Sequence, residues 1–443
     1  MSGVSQNIDR VGVVFDEPNL VANAGLVTVA TLAVRLGLER LIDRTVRLVG
    51  RVGGAHAGRK VLTLVATLVA GGSHIDHADM LRAGDTRRVL PFRVAAPSTL
   101  GTFLRSFTFG HVRQLDGVIA ETLRRVWTLG AGPGKGRLVI DVDSTICEVF
   151  GYAKQGAAYG YTKTKGYHPL MASRADTGEI LHARLRKGSS QKGANRFIEE
   201  LIARVRRAGA AGEILVRADS GFWSRRLIET LERLGVSYSI TVNVNPSIRS
   251  VIEAVPDTSW VPITYPDGGD ADVASVAYTT ARGPHGLAPK LVRLIVRRTR
   301  LVGTQATLWP DWRYHVIVTN RSEPVAVVDR EHRHHAVVEL AIRDLKEGAG
   351  LSHVPSGHFS ANGAWLACAV LAHNLIRWTT LLGDPTSPDR LTVGASFRTQ
   401  LIAIPGRLVN RAGRITLRLP THWPWAQRFQ GILTRLRAIP QLA

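Results

Sequence analysis

Two aspartates, Asp141 and Asp143, close the apolar run "RLVIDVDST". Strand side chains alternate between faces, so both acids point the same way from the strand's end. Paired hard oxygen donors there suit a divalent cation. The alternative is that one caps a turn and the other pairs with an arginine. Asp219 ends a second apolar run, "EILVRADSG", before Ser220 and Gly221 turn the chain. Functional groups of open α/β sheets collect at the carboxyl ends of strands, although an aspartate in that place also serves as a helix cap. A third acid lies in "REHRHHAVVELAIRDLKEG". At ~100° per helical residue, with Glu339 at zero, His332 falls at about +20°, His335 at about −40° and Lys346 at about −20°. One narrow stripe therefore carries two histidines, an acid and a lysine, beside an apolar strip of Val338, Ile342 and Leu345. A solvated helix face would show the same pattern. The spacing of His332 and His335 is not that of a zincin, and no thiolate accompanies them, which argues against zinc.

If the three loci converge, their carboxylates form an oxygen-rich cage for Mg²⁺, with Mn²⁺ as a substitute. Two such ions about 3.5–4 Å apart stabilise the attacking and leaving oxygens of an in-line phosphodiester displacement. The rest of the chain suits such a substrate. Its 443 residues hold 57 Lys and Arg against 35 Asp and Glu, a net charge of +22. A GC-rich codon bias explains Arg over Lys, but not the shortage of acids. Nucleic acid is the obvious polyanionic partner.

The elements that must position these groups follow from periodicity. Residues 20 to 130 have the i, i+3, i+4 rhythm of helices, with Ser98 and Thr99 after Pro97 as a capping signal. "GAGPGKG", residues 130 to 136, reads as a linker, since it lacks the spacing of a phosphate-binding loop. The pattern then turns to α/β: a strand ending at Asp143, a hairpin about "ADTG", a helix "ANRFIEELIARVRRAG", the strand ending at Asp219, a helix and another strand. Residues 246 to 325 read as β-rich, 326 to 383 as helical, and the basic tail from 384 to 443 contains a hairpin. The expected domains are 1–130, helical and suited to DNA binding or dimerisation; 131–245 and 326–383, two parts of a catalytic core; the 246–325 insertion; and the 384–443 tail. Cys147 and Cys368 sit among apolar residues and are expected as buried thiols. The N-terminus does not read as a signal peptide, and the longest apolar runs are too short or too interrupted for a bilayer, so no membrane is expected and the location is cytoplasmic, at the nucleoid.

At this point the chain resembles bacterial insertion-sequence transposases of the DDE superfamily, and within them the insertion sequence 1380 group, related to the insertion sequence 4 group. "DVDST", "GAAYGYTKTKGYHPLMA", "VRADSGF" and "HAVVELAIRDLKEGAGLSHVPSGHF" carry the resemblance, which runs over about residues 20 to 440. It implies an α/β fold: an RNase H-like core with a β-rich insertion, preceded by an all-α N-terminal region. It implies Asp143, Asp219 and Glu339 as catalytic metal ligands, with Asp141 as an accessory ligand or supporting group. Related enzymes carry Tyr, Arg, Glu and Lys at spacings 3, 4 and 7; here His332 and His335 replace the first two, while Glu339 and Lys346 match. His332, His335, Lys346, Arg343, Lys163, Lys165 and His168 are the implied DNA contacts. Insertion-domain tryptophans of related enzymes stack on a flipped base, for which Trp260, Trp309 and Trp312 are candidates, although core packing suits each better. The implied reaction is metal-dependent cleavage of double-stranded DNA at terminal inverted repeats, then strand transfer into target DNA, by a homodimer in a synaptic complex. A non-catalytic DNA-binding derivative and a nuclease without strand transfer are the competing readings.

Overall fold

The computed structural model describes residues 8–151, 153–160, 163–190, 193–265, 269–281, 288–300, 312–387 and 391–442. Its centre is a nine-stranded mixed sheet. Strand β1 (Leu138–Ser144) carries the first acids. The hairpin of β2 (Leu170–Arg174) and β3 (Ile180–Arg184) flanks it on one side, antiparallel and turning through Gly178 at φ +68°. On the other side β4 (Ile214–Ala218) and β5 (Ser237–Val242) run parallel to β1. The parallel pairs require crossovers. The helix Arg225–Arg233, capped by the Ser224 hydroxyl, makes the one between β4 and β5. Strands β2 and β4 are buried throughout and β1 through most of its length, as their near-continuous apolar sequences demand.

Residues 246 to 325 are β-rich but extend this sheet. After β6 (Val261–Pro262), β7 (Asp270–Thr279) and β8 (Leu291–Arg300), strand β9 (Arg313–Thr319) returns to pair antiparallel with β5. The order is β6-β7-β8-β9-β5-β4-β1-β2-β3. Without β9, the outer edge of β5 would present unpaired backbone groups.

The N-terminal region is mostly helical. Gly37, at φ +62°, separates the helices Leu26–Arg35 and Leu38–Thr45. Helices Ala57–Val69, Pro97–Arg105 and α1 (Phe109–Val126) follow. Ser98 and Thr99 are not caps: Pro97 takes the first turn and Ala96 precedes it. The region is also not wholly α. Leu20–Val21 pairs with Gly406–Arg411, whose hairpin partner is Arg414–Arg418, so the two ends of the chain share a second sheet.

Helix α2 (Ala194–Ala208) leads from β3 to β4, and α3 (Val325–Arg333) and α4 (Val337–Arg343) follow β9. Helix α5 (Phe359–Gly383) is long and apolar enough to cross a membrane by composition, contrary to the reading of that run as too interrupted. Yet 89% of its most apolar window is buried. It packs on α1, on β3, on Ala57–Val69 and on the final helix Ala426–Ala438. Asn374 of α5 bonds both the N–H and the carbonyl of Ile180 at 2.8 Å, fixing the helix to β3. Cys147 and Cys368 are buried free thiols.

Candidate active site

The parallel register of β1 and β4 pairs Asp141 with Arg217 and Val142 with Ala218. One step further along the same register, Asp219 follows β4 beside Asp143. Asp219 is exposed and accepts the Gly221 N–H at 3.1 Å. It thus caps the short turn after the strand while keeping a carboxylate at the sheet's edge. Asp143 is half-buried and accepts the Ser144 N–H at 2.6 Å.

Glu339 stands on the first turn of α4, exposed. Val338, Ile342 and Leu345 are buried behind it, and α4 packs on β1 and β2. The other two acids both act on Asp143. Burial pushes the Asp143 carboxyl up to about 6, and the negative charges of Asp219 and Glu339 add to the rise. The Ser144 N–H and the charge of His335 oppose it. Asp219 is also raised, chiefly because its carboxyl loses solvent in the cleft that it lines, against the Gly221 N–H and His335. Asp143 and Asp219, two hard oxygen donors whose ionisation is resisted, with the charge of Glu339 acting on Asp143, make a set that a divalent cation would relieve.

The other candidates separate. Asp141 is fully buried. Both its oxygens accept from Arg217, each at 2.7 Å, and Oδ1 also accepts from His335 Nδ1 at 2.9 Å. It supports the site and offers no free oxygen to a metal, which corrects its expected ligand role; the arginine alternative describes it. His332 is 4% exposed, with Nδ1 2.7 Å from the Ser239 hydroxyl and Nε2 3.0 Å from that of Thr241. Burial, then the charges of His315, His335, Arg217 and Arg297, hold it well below the usual histidine range. It braces α3 against β5 and has no nitrogen to spare for a phosphate, a second correction. The cause is a 3₁₀ turn, His334–Ala336, between α3 and α4. Its tighter winding, about 120° per residue, rotates His332 out of the stripe.

His168 is also buried, 2.9 Å from the Ser144 hydroxyl and 3.2 Å from the Ser190 carbonyl. Burial, then Arg186, lower its pKa. With Ser144, Arg186, Asp219, Ser220 and Phe222 it lines a cleft of about 250 Å³ beside the acids. Lys346 donates to the Thr145 hydroxyl at 3.1 Å, and Arg343 is exposed on α4. Lys163 is exposed, and half-buried Lys165 donates to the Gly151 carbonyl at 3.1 Å. Trp260 and Trp312 hold the Arg298 guanidinium between their rings, at 4.3 and 4.5 Å, so both already stack on a cation. Trp309 lies outside the described residues.

The family model described as Transposase DDE domain group 1 matches residues 5–441. The chain belongs to this DDE transposase family. No curated protein sequence matches it. Among solved structures it is similar to a piggyBac transposase synaptic complex with hairpin DNA. That likeness has 14% identity and a TM-score of 0.43, over 86% of this chain and 79% of the other.

A second acidic group in this transposase was not foreseen. Asp116 of α1, His182 of β3 and Glu200 of α2 bring ligand atoms within 4.8 Å of one another. His182 is fully buried, 3.4 Å from each carboxylate. Four guanidiniums crowd the same two acids. Arg204 lies 2.7 Å from Asp116, Arg113 lies 3.1 Å from Asp116 and 2.9 Å from Glu200, Arg196 lies 3.0 Å from Glu200, and Arg184 also pairs with Glu200. Burial alone would raise both acids, yet His182 and the arginines bring them below the usual range. A metal there would face four cations against two acids, so the cluster is an ion-pair staple between α1, β3 and α2. The signal was present in the sequence: His182 and Arg204 sit on otherwise apolar faces. Arg217, a lone cation in the buried run "EILVRAD", carried the same signal.

Proposed function

We propose that this transposase cleaves double-stranded DNA at the terminal inverted repeats of an insertion sequence and joins the freed ends to target DNA. The observation that carries the reading is that Asp219 and Glu339, both far from Asp143 in sequence, lie near enough for their charges to oppose its ionisation. Strand order supports an RNase H-like core: β3-β2-β1-β4-β5, with an antiparallel hairpin on one side of β1 and parallel crossovers on the other. The motifs "DVDST" and "VRADSGF" support placement in the insertion sequence 1380 group.

The donor set fits Mg²⁺ or Mn²⁺ held by Asp143, Asp219 and Glu339. The bound metal would supply Lewis acidity for activating an attacking oxygen and stabilising charge on the phosphate. The chain's own residues do the rest. The Ser144 and Gly221 N–H groups orient the Asp143 and Asp219 carboxylates. Lys346 and Arg343 lie on the segment that carries Glu339, where cations meet a DNA backbone. Lys163, on the loop before β2, and Lys165, at the start of the short strand Lys165–Tyr167, extend the basic surface. Pairing of two element ends calls for a homodimer.

The test is cleavage of a duplex bearing the element's ends with Mg²⁺. Asp143→Ala, Asp219→Ala and Glu339→Ala should each fall to background while still binding DNA. Cleavage surviving in all three overturns the reading. Cutting without joining would indicate a nuclease, and binding without cutting under either metal a DNA-binding derivative.

A further inference from the structure

We infer that Arg217 is the positioning residue of the site. With Asp141 and His335 it clamps the junction between α3 and α4 onto β1 and β4, and so sets where Glu339 stands against Asp143 and Asp219. The inference rests on the three-acid reading of the site.

Arg217 lies within β4, directly across the parallel register from Asp141. Both side chains are almost entirely enclosed, at 5% and 0% exposure, and their planar groups meet through two parallel bonds. A buried pair of this kind adds little net stability over well-packed apolar side chains. Its presence in two otherwise apolar strands therefore calls for a further role.

The remaining N–H groups of the guanidinium supply one. Nη1 donates to the Glu331 carbonyl and Nη2 to the His334 carbonyl at 3.3 Å. These carbonyls sit at the end of α3 and the start of the 3₁₀ turn, where regular helical bonding is interrupted. The arginine adds a donor to each from the sheet, the His334 carbonyl also accepting the Val337 N–H. His335, inside the same turn, adds a third tie through Nδ1 to Asp141 Oδ1. One carboxylate thus holds an arginine and a histidine, which together fix two strands and the helix junction. Glu339 follows His335 by one helical turn, so any slip of the junction moves its carboxylate relative to Asp143. Lysine cannot replace the fork, because its single ammonium lacks the planar, divergent donors.

The test compares wild type, Arg217→Lys and His335→Gln in the full chain. Backbone amide exchange is read in residues 331–343 and in β1 and β4, alongside DNA affinity and the metal concentration for half-maximal cleavage. Exchange in 331–343 should quicken at least about ten-fold while β1 and β4 stay protected. The metal requirement should rise about 10- to 100-fold, with DNA affinity near wild type in Arg217→Lys and cleavage recovering at high Mn²⁺ in both. Unchanged exchange and an unchanged metal requirement in both variants overturn the inference. If Arg217→Lys shows no cooperative unfolding transition, His335→Gln decides, since it removes one tie and leaves no buried charge alone. A wild-type chain that cleaves under neither metal would overturn the transposase reading, and the exchange comparison would still decide the clamp.

Discussion

Asp143 carries a carboxyl whose ionised form costs the fold stability. Its carboxyl, pushed up to about 6 by burial and by two neighbouring acids, binds a proton more readily in the folded chain than in the unfolded one. Between the unfolded value near 4 and that raised value, the folded state holds more protons, so stability falls as pH rises through the window. At neutral pH the ionised group costs ~1–3 kcal/mol in the absence of metal. Asp143→Asn should therefore raise the thermal midpoint at pH 7.5 while abolishing cleavage; an unchanged or lowered midpoint contradicts the raised Asp143 carboxyl. His332 and His315 work with the opposite sign. His332 is held well below the usual range, chiefly by burial, and His315 is lowered to about 4 by burial and Arg297. The unfolded chain takes up protons below about 6.5 and the folded chain does not, so their contribution is full above that pH and is lost as pH falls. In the Asp143→Asn background, urea stability should drop from pH 7.5 to 5.5. His332→Gln should flatten that slope by up to about 1.4 kcal/mol per pH unit; an unaltered slope would place a proton on His332 in the folded state. At this scale the acids could be singled out in the sequence because each ends an apolar run or rides an amphipathic helix. The fate of Asp141 and His332 could not, because a buried arginine partner and a 3₁₀ turn are consequences of tertiary packing.

Elements divide in the same way. The β2–β3 hairpin and the β4-helix-β5 crossover could be read locally, from "ADTG", from Ser224 and from the apolar runs. The continuation of the sheet through β9 could not, since its pairing with β5 joins residues some 75 apart, Val316 with Val242. The staple of Asp116, His182 and Glu200 is of this long-range kind. It joins α1 to β3 and α2 through guanidiniums that reach the acids at 2.7 to 3.1 Å. Arg204→Ala removes a buried cation from Asp116 and should cost about 2–4 kcal/mol of unfolding free energy, read from the denaturant midpoint. A loss under about 1 kcal/mol would mean that the remaining arginines hold the joint unaided.

Across the whole molecule, one connected apolar core runs from the N-terminal helices through the sheet to α5 and the last helix. Little in composition marks where one region ends. The chain carries a net charge of +22. Binding to duplex DNA should weaken steeply with salt, and Arg343→Ala should reduce the log–log slope by about one; an unchanged slope would remove Arg343 from the DNA-facing surface. Two acidic groups in one basic chain also give the account its most direct test. Crystals soaked in Mn²⁺ and measured at the manganese edge should show anomalous density among Asp143, Asp219 and Glu339 and none among Asp116, His182 and Glu200. Density at the second group alone would contradict the assignment of the catalytic centre.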